Sequence, residues 1–145
     1  MNKTAQLRNQ CGFTLIEIMV VIVIIALMGG IVGPAIFSKV QQAEETRVAQ
    51  DIRAIENALK LYRLDNFDYP GQSDGLDALM TEPASARKWR GPYLENVPVD
   101  PWDQTYRYAY PGTHGKEVEV FTFGRDNQQG GEGSDADWGS WNVDQ

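Results

Sequence analysis

The sequence contains one cysteine and one histidine among 145 residues, and these counts exclude whole classes of function. A single cysteine cannot form a disulfide within the chain. Together the two residues supply too few ligands for a His/Cys zinc site, which needs three or four. A catalytic triad would depend on the single histidine, His114. The composition therefore points away from an enzyme.

Basic residues are also scarce, since 13 Lys and Arg face 20 Asp and Glu and the formal net charge is −7. Nucleic-acid binding needs a clustered basic face, so this balance argues against a nucleic-acid partner. The hydrophobic content of 42% argues against wholesale disorder. A chain of this length forms one ordinary domain with a modest core.

One apolar run of about twenty residues, from Phe13 to Val32, stands out in the chain. At about 1.5 Å per residue such a helix is roughly 30 Å long, which is the thickness of a bilayer core. Lys3 and Arg8 precede the run without any acidic residue, so we expect this flank to stay cytoplasmic. No small-residue cleavage site of the secretory type follows the run. The sequence predicts a retained membrane helix with the rest of the chain outside.

Glu17 lies inside this apolar run. A lone carboxylate in a lipid-facing helix costs a few kcal/mol, so Glu17 needs a partner or a proton. Cleavage just before Phe13 would create an α-amino group about one helical turn from Glu17. In an assembly the same amino group could also pair with Glu17 of a neighbouring subunit.

The residues from Gly12 to Glu17, Gly-Phe-Thr-Leu-Ile-Glu, resemble the class III signal of type IV pilins and pseudopilins. The resemblance implies that a prepilin peptidase removes the leader 1–12 by cutting after Gly12 and N-methylates Phe13. It also implies that Glu17 is an assembly residue. Cleavage would remove Cys11 and two basic residues, so the mature chain would lack cysteine and carry a charge of −9.

A second stretch of helix is predicted after the apolar run. Its apolar residues recur at steps of four and three, which places them on one helix face. They are Val48, Ile52, Ile55, Leu59 and Tyr62. We predict one helix from about residue 13 to about residue 64, apolar in its first half and amphipathic in its second. The glycines and proline between Gly29 and Pro34 favour a kink or a segment that loses helicity when subunits pack into a filament.

The second half of the chain has the pattern of a small β-sheet. Alternating residues at 105–110 and 118–123 predict a β-hairpin, with His114 exposed in its connecting loop. A short helix is predicted around Leu76, with Ser73 or Asp74 as its N-cap. The expected fold class is α+β: a long N-terminal helix, transmembrane in its first half, packed on a small antiparallel sheet as in type IV pilins.

Three motifs in the middle of the chain are similar to the major pseudopilin family of type II secretion systems. They lie at Asp65–Pro70, Gly75–Leu79 and Pro98–Trp102. The resemblance implies a membrane and filament-core segment at 13–35 and a periplasmic globular domain at 36–145. It implies an inner-membrane subunit that self-assembles into a helical periplasmic filament, the pseudopilus, which drives export of folded proteins across the outer membrane.

The implied partners are further copies of the chain, minor pseudopilins, the inner-membrane assembly platform and prepilin peptidase. Two other functions stay open from the residues. A type IV pilin subunit for adhesion or motility is one, although such pilins usually carry a C-terminal cysteine pair that is missing here. A membrane-anchored periplasmic binding domain is the other, and an anchor of that kind would gain nothing from Glu17.

The last twenty residues, 126–145, contain five acidic residues and four glycines but neither Lys nor Arg. Repulsion between carboxylates and the flexibility of glycine favour a solvated tail. Trp138 and Trp141 favour the opposite, a tail that packs back on the domain. Carboxylates and turning carbonyls are also the oxygen ligands that Ca²⁺ prefers.

The segment from Phe123 onwards resembles the calcium loop of the major pseudopilin family. The resemblance implies Ca²⁺ as a cofactor, bound by the backbone carbonyl of Phe123, by Asp126 and by Asp135 or Asp137. Two residues depart from the family pattern: Arg125 replaces a small residue and Asn127 a glycine. Because asparagine tolerates a left-handed backbone, we expect the turn to survive.

Overall fold

The computed structural model describes residues 12–143, with side chains described for 12–30 and 36–143. Its main element is one helix, α1, at Leu15–Asn66. The predicted long helix is thereby confirmed within two residues at each end. The backbone stays α-helical between Gly29 and Pro34, so the glycines and proline there do not end the helix.

The chain divides into two compact units, one ending at Lys39 and one running from Val40 to Gln145. The described part of the first unit is the first half of α1, whose aliphatic side chains are exposed to more than half of their area at positions such as Ile22 and Ile25. In the described parts of the chain, no helical stretch is both long and apolar enough to cross a bilayer. The membrane span therefore stays a prediction.

The core of the second unit forms on the amphipathic half of α1. The five residues of the predicted helix face are all buried, with exposures of 3% or less: Val48, Ile52, Ile55, Leu59 and Tyr62. Leu79 and Val120 complete the core from the other elements and are fully buried. Each large aliphatic side chain removed from water in this way contributes about 1.5–3 kcal/mol.

A three-stranded antiparallel sheet, in the order β1-β2-β3, packs on this helix face. The strands are β1 at Arg107–Ala109, β2 at Glu119–Thr122 and β3 at Trp138–Gly139. Tyr108 pairs with Val120 in the hairpin, as the alternating pattern predicts. β1 is shorter than predicted and ends just before Tyr110 and Pro111, because proline has no N–H to donate to a partner strand.

The short helix predicted around Leu76 is a 3₁₀ helix at Gly75–Leu79. Asp74 occupies its N-cap position, but its side chain makes no capping hydrogen bond. Its carboxylate instead accepts a hydrogen bond of 2.5 Å from the Ser85 hydroxyl. Asp74 therefore occupies the predicted N-cap position, but its side chain fastens the following loop instead of capping the helix.

Candidate functional site

The predicted processing and assembly residues lie at the start of α1. Gly12 and Phe13 precede the helix, and Phe13 is exposed. Glu17 lies in the first turn, where its carboxylate accepts a hydrogen bond of 3.4 Å from the Thr14 N–H, while the Thr14 hydroxyl accepts one of 3.3 Å from the Glu17 N–H. This reciprocal arrangement is a capping box, which satisfies two otherwise unpaired donors of the helix.

The acidic segment is a loop that leaves β2 and returns to the sheet as β3. Its two limbs lie in contact at Gly124, whose φ is +68°. A side chain at this position would place its Cβ 2.7 Å from the carbonyl oxygens of Ser134 and Ala136, so only glycine fits. The Ser134 hydroxyl also donates a hydrogen bond of 2.7 Å to Glu44 on α1. The segment therefore packs back on the domain, as its two tryptophans predict, and is not a solvated tail.

Each carboxylate proposed as a calcium ligand has a different partner in this loop. Asp135 accepts two hydrogen bonds from the Arg125 guanidinium, at 2.9 and 3.0 Å. Asp137 accepts the Gly130 N–H at 3.0 Å, and Asp126 accepts the Gln128 N–H at 3.0 Å. The hydrogen bond that Arg125 donates to Asp135 is the main reason that the pKa of Arg125 is raised above its usual value.

The loop fits calcium in the kind of donor it offers, because its ligands would all be carboxylate or carbonyl oxygens. Its arrangement does not gather those donors at one point. Among residues 12–143, no three His, Cys, Asp or Glu side chains converge closely enough to hold a metal ion. A bound Ca²⁺ would therefore require the carboxylates of the loop to come closer together than they are in this arrangement.

A buried carboxylate, Asp100, supports the base of this loop and was missed by the sequence analysis. One of its oxygens accepts the N–H groups of Trp102 and Gln104, at 3.0 and 2.8 Å, and the other accepts the Thr122 hydroxyl at 2.5 Å. The Gln104 amide then donates to the Gly124 carbonyl at 3.1 Å. The Asp-Pro pair at 100–101 is a turn signal that could have indicated this role.

Glu119 forms a second buried acidic centre that the alternating strand pattern did not predict. Its side chain is 1% exposed and contacts His114 Nδ1 at 3.0 Å. The His114 ring, half exposed, stacks on Trp141 with 3.9 Å between ring centroids. Burial by itself raises the pKa of Glu119, but hydrogen bonds from Thr113 and His114 outweigh it, so the pKa is lowered. The resulting stabilisation is present above the ordinary glutamate pKa and is lost as the pH falls through the folded-state value.

Comparison with known proteins assigns both parts of the chain. A family model described as type II secretion system (T2SS), protein G matches residues 35–141, and the prokaryotic N-terminal methylation motif matches residues 7–33. The chain belongs to the type II secretion system protein G family. This family is a structural pseudopilin of the secretion system and not an enzyme, so the expectation from the composition is confirmed.

Relatives share the family over nearly their whole length. The chain is 44% identical to type II secretion system core protein G of Vibrio cholerae serotype O1 over 141 residues, which cover 95% of this chain and 96% of the relative. It is also 44% identical to the core protein G of Pseudomonas aeruginosa, over 94% of this chain and 98% of the relative.

A solved structure supports the same assignment. The crystal structure of the major pseudopilin from the type 2 secretion system of enterohaemorrhagic Escherichia coli matches with a TM-score of 0.64 and 32% identity, covering 72% of this chain and 92% of that chain. The α+β fold of a long helix and a small antiparallel sheet is thereby confirmed. Because the chain belongs to the protein G family, the two alternative functions are also decided against: a type IV pilin subunit for adhesion or motility, and a membrane-anchored periplasmic binding domain.

Proposed function

We propose that this protein G is the major subunit of a pseudopilus, a helical filament of many copies that grows in the periplasm and drives folded proteins across the outer membrane. The observation that carries the proposal is the union in one chain of the protein G domain and the N-terminal methylation motif. Minor pseudopilins and the inner-membrane assembly platform are the proposed partners. Deletion of the gene in its own host should stop type II secretion, and re-expression should restore it.

Processing is the first step of the proposed assembly. Prepilin peptidase cuts after Gly12 and N-methylates Phe13. Before assembly the subunit is anchored in the inner membrane, with residues 13–35 in the bilayer and residues 36–145 in the periplasm. The new α-amino group then stands at the same end of α1 as Glu17, whose carboxylate already turns back to the helix start. The pairing of that amino group with Glu17 of a neighbouring copy would remove an uncompensated charge from the lipid phase.

We further propose that Ca²⁺ stabilises the acidic loop. The backbone carbonyl of Phe123 and the carboxylate of Asp126 would hold the ion from the β2 limb, and Asp135 or Asp137 from the returning limb. Three things support this: the resemblance of the segment to the family's calcium loop, its oxygen-only donors, and the absence of any disulfide that could hold the loop. Calcium would offset the repulsion between the carboxylates that the two limbs carry.

Removal of calcium should lower the melting temperature of the full-length chain in detergent micelles. Binding to the folded form alone stabilises it by about 2.7 kcal/mol when free Ca²⁺ is a hundredfold above Kd. For a domain of this size that corresponds to a decrease on the order of 10 °C in EGTA. Thermal denaturation followed by circular dichroism gives the value.

Two variants control this measurement. Asp126→Ala should melt in Ca²⁺ as the original chain melts in EGTA, because it removes a ligand. Glu132→Ala removes an exposed acid of the same loop that is outside the proposed ligand set, and it should keep the response to calcium. Equal melting temperatures in Ca²⁺ and EGTA for the original chain would refute the calcium assignment.

A further inference from the structure

Arg125 lies at the start of the acidic loop and pairs with one of its carboxylates, that of Asp135. The guanidinium Nε lies 2.9 Å from one oxygen of Asp135, and Nη2 lies 3.0 Å from the other. Two parallel N–H···O bonds of this kind fix the relative orientation of the two groups as well as their distance. The pair is partly accessible to solvent, with 63% of the Arg125 side chain and 34% of the Asp135 side chain exposed.

The backbone at the same position makes a second link. The Arg125 N–H donates to the Ser134 carbonyl at 2.9 Å, next to the glycine at which the two limbs touch. Side chain and main chain of one residue therefore tie the end of β2 to the limb that returns as β3. These are the two limbs that a calcium ion would otherwise have to join.

We infer that Arg125 holds the two limbs of the acidic loop together, with its guanidinium as the counter-cation of Asp135. Asp135 is then not a calcium ligand, and Ca²⁺ binds to the carboxylates of Asp126 and Asp137. The second half of the inference rests on the proposed calcium binding. The first half does not, because it is argued from the ion pair and the backbone hydrogen bond alone.

The pairing of Arg125 with Asp135 affects the affinity of the loop for Ca²⁺. A guanidinium that occupies both oxygens of Asp135 removes one anionic ligand from the set and places a positive charge beside the site. Calcium affinity in oxygen sites is set by the number of charged ligands. Arg125 therefore lowers the affinity for Ca²⁺ and at the same time makes the folded loop less dependent on it.

Limited proteolysis of the full-length chain in detergent and EGTA tests the closure. We compare the original chain with Arg125→Ala, with Asp135→Asn, and with Arg90→Ala as a control. Arg90 is an exposed arginine whose partner, Asp65, is 3.8 Å away and outside the loop. The rate of cutting within 126–137, mapped by mass spectrometry, should rise about fivefold in the first two variants and stay unchanged in the control. Cutting of Arg125→Ala at the original rate would overturn the closure by Arg125.

Isothermal titration with CaCl₂ tests the division of the ligands. Arg125→Ala should bind Ca²⁺ roughly three- to tenfold more tightly than the original chain, because Asp135 is released to the ion. Asp135→Asn should bind Ca²⁺ no more tightly than the original chain, because that carboxylate is already paired with Arg125 and its loss leaves the guanidinium uncompensated. An unchanged or weaker affinity in Arg125→Ala would overturn this division. If the titration of CaCl₂ gives no heat of binding with any of these chains, the proposed calcium binding is refuted. The proteolysis experiment in EGTA would still test whether Arg125 closes the loop.

Discussion

Replacement of Glu17 with alanine should leave the chain in the inner membrane and reduce type II secretion to the level of the deletion strain. Membrane insertion depends on the apolar residues around Glu17, and alanine makes the segment more apolar. Assembly loses the only acidic residue of the run 13–32, which is the proposed partner of the positively charged N-terminus of a neighbouring subunit. Membrane fractionation and an assay of a secreted protein in the culture medium measure the two effects.

Thr14→Ala is the matched control for Glu17→Ala. Glu17 also forms a local capping box at the helix start, and Thr14 is the other half of that box. Thr14→Ala removes this local contact and leaves the Glu17 carboxylate in place. Loss of such a cap costs about 1 kcal/mol, which a long helix tolerates. Thr14→Ala should therefore secrete normally. Equal defects in both variants would assign Glu17 to capping alone, and normal secretion by Glu17→Ala would remove its assembly role.

The largest loss of stability from one substitution is expected for Asp100→Ala. The substitution leaves two backbone N–H groups and the Thr122 hydroxyl without their buried acceptor. Because an unsatisfied buried donor costs about 1–3 kcal/mol, the free energy of unfolding should fall by roughly 3–5 kcal/mol. That is a large part of the 5–15 kcal/mol typical of a domain. Urea denaturation of the full-length chain in detergent gives the value.

Asp77→Ala is the control for the loss of a carboxylate. Asp77 is exposed on the 3₁₀ helix, so its replacement should change the unfolding free energy by less than about 0.5 kcal/mol. Asp100→Asn keeps the shape and one oxygen acceptor and should fall between the two alanine variants. If the free energy of unfolding of Asp100→Ala lies within about 1 kcal/mol of that of the original chain, which is the value of a single hydrogen bond, Asp100 does not support the base of the loop as described.

The elements that could be predicted are those with a repeated local pattern. The buried face of α1 follows from steps of three and four residues, and the hairpin follows from alternation at 105–110 and 118–123. β3 could not be predicted, because two residues, Trp138 and Gly139, are too short to show a period. It exists because β2 offers a free edge to the returning limb of the loop, where Phe121 pairs with Gly139.

The polar centres could not be predicted because each joins residues that are distant in the sequence. Glu119 occupies a position that alternation treats as outward-facing, yet the 112–114 turn folds over it. Arg125 and Asp135 are ten residues apart and meet only after the loop has turned back on itself. The sequence analysis identified the acidic loop from its composition, while the partner of each carboxylate depends on the tertiary fold.

Disulfide crosslinking in the membrane tests most directly the claim that this chain is an assembling subunit. The mature chain would contain no cysteine, so cysteines introduced in pairs on opposite faces of the apolar helix, such as Ile16→Cys with Ile25→Cys, report only on neighbouring copies. After mild oxidation of cells, a scan of such pairs should yield a ladder of dimers, trimers and higher oligomers on a denaturing gel. Single cysteines should stop at dimers, and Glu17→Ala should abolish the ladder. Monomers alone at every pair of the scan would contradict the assignment of this chain as a filament subunit.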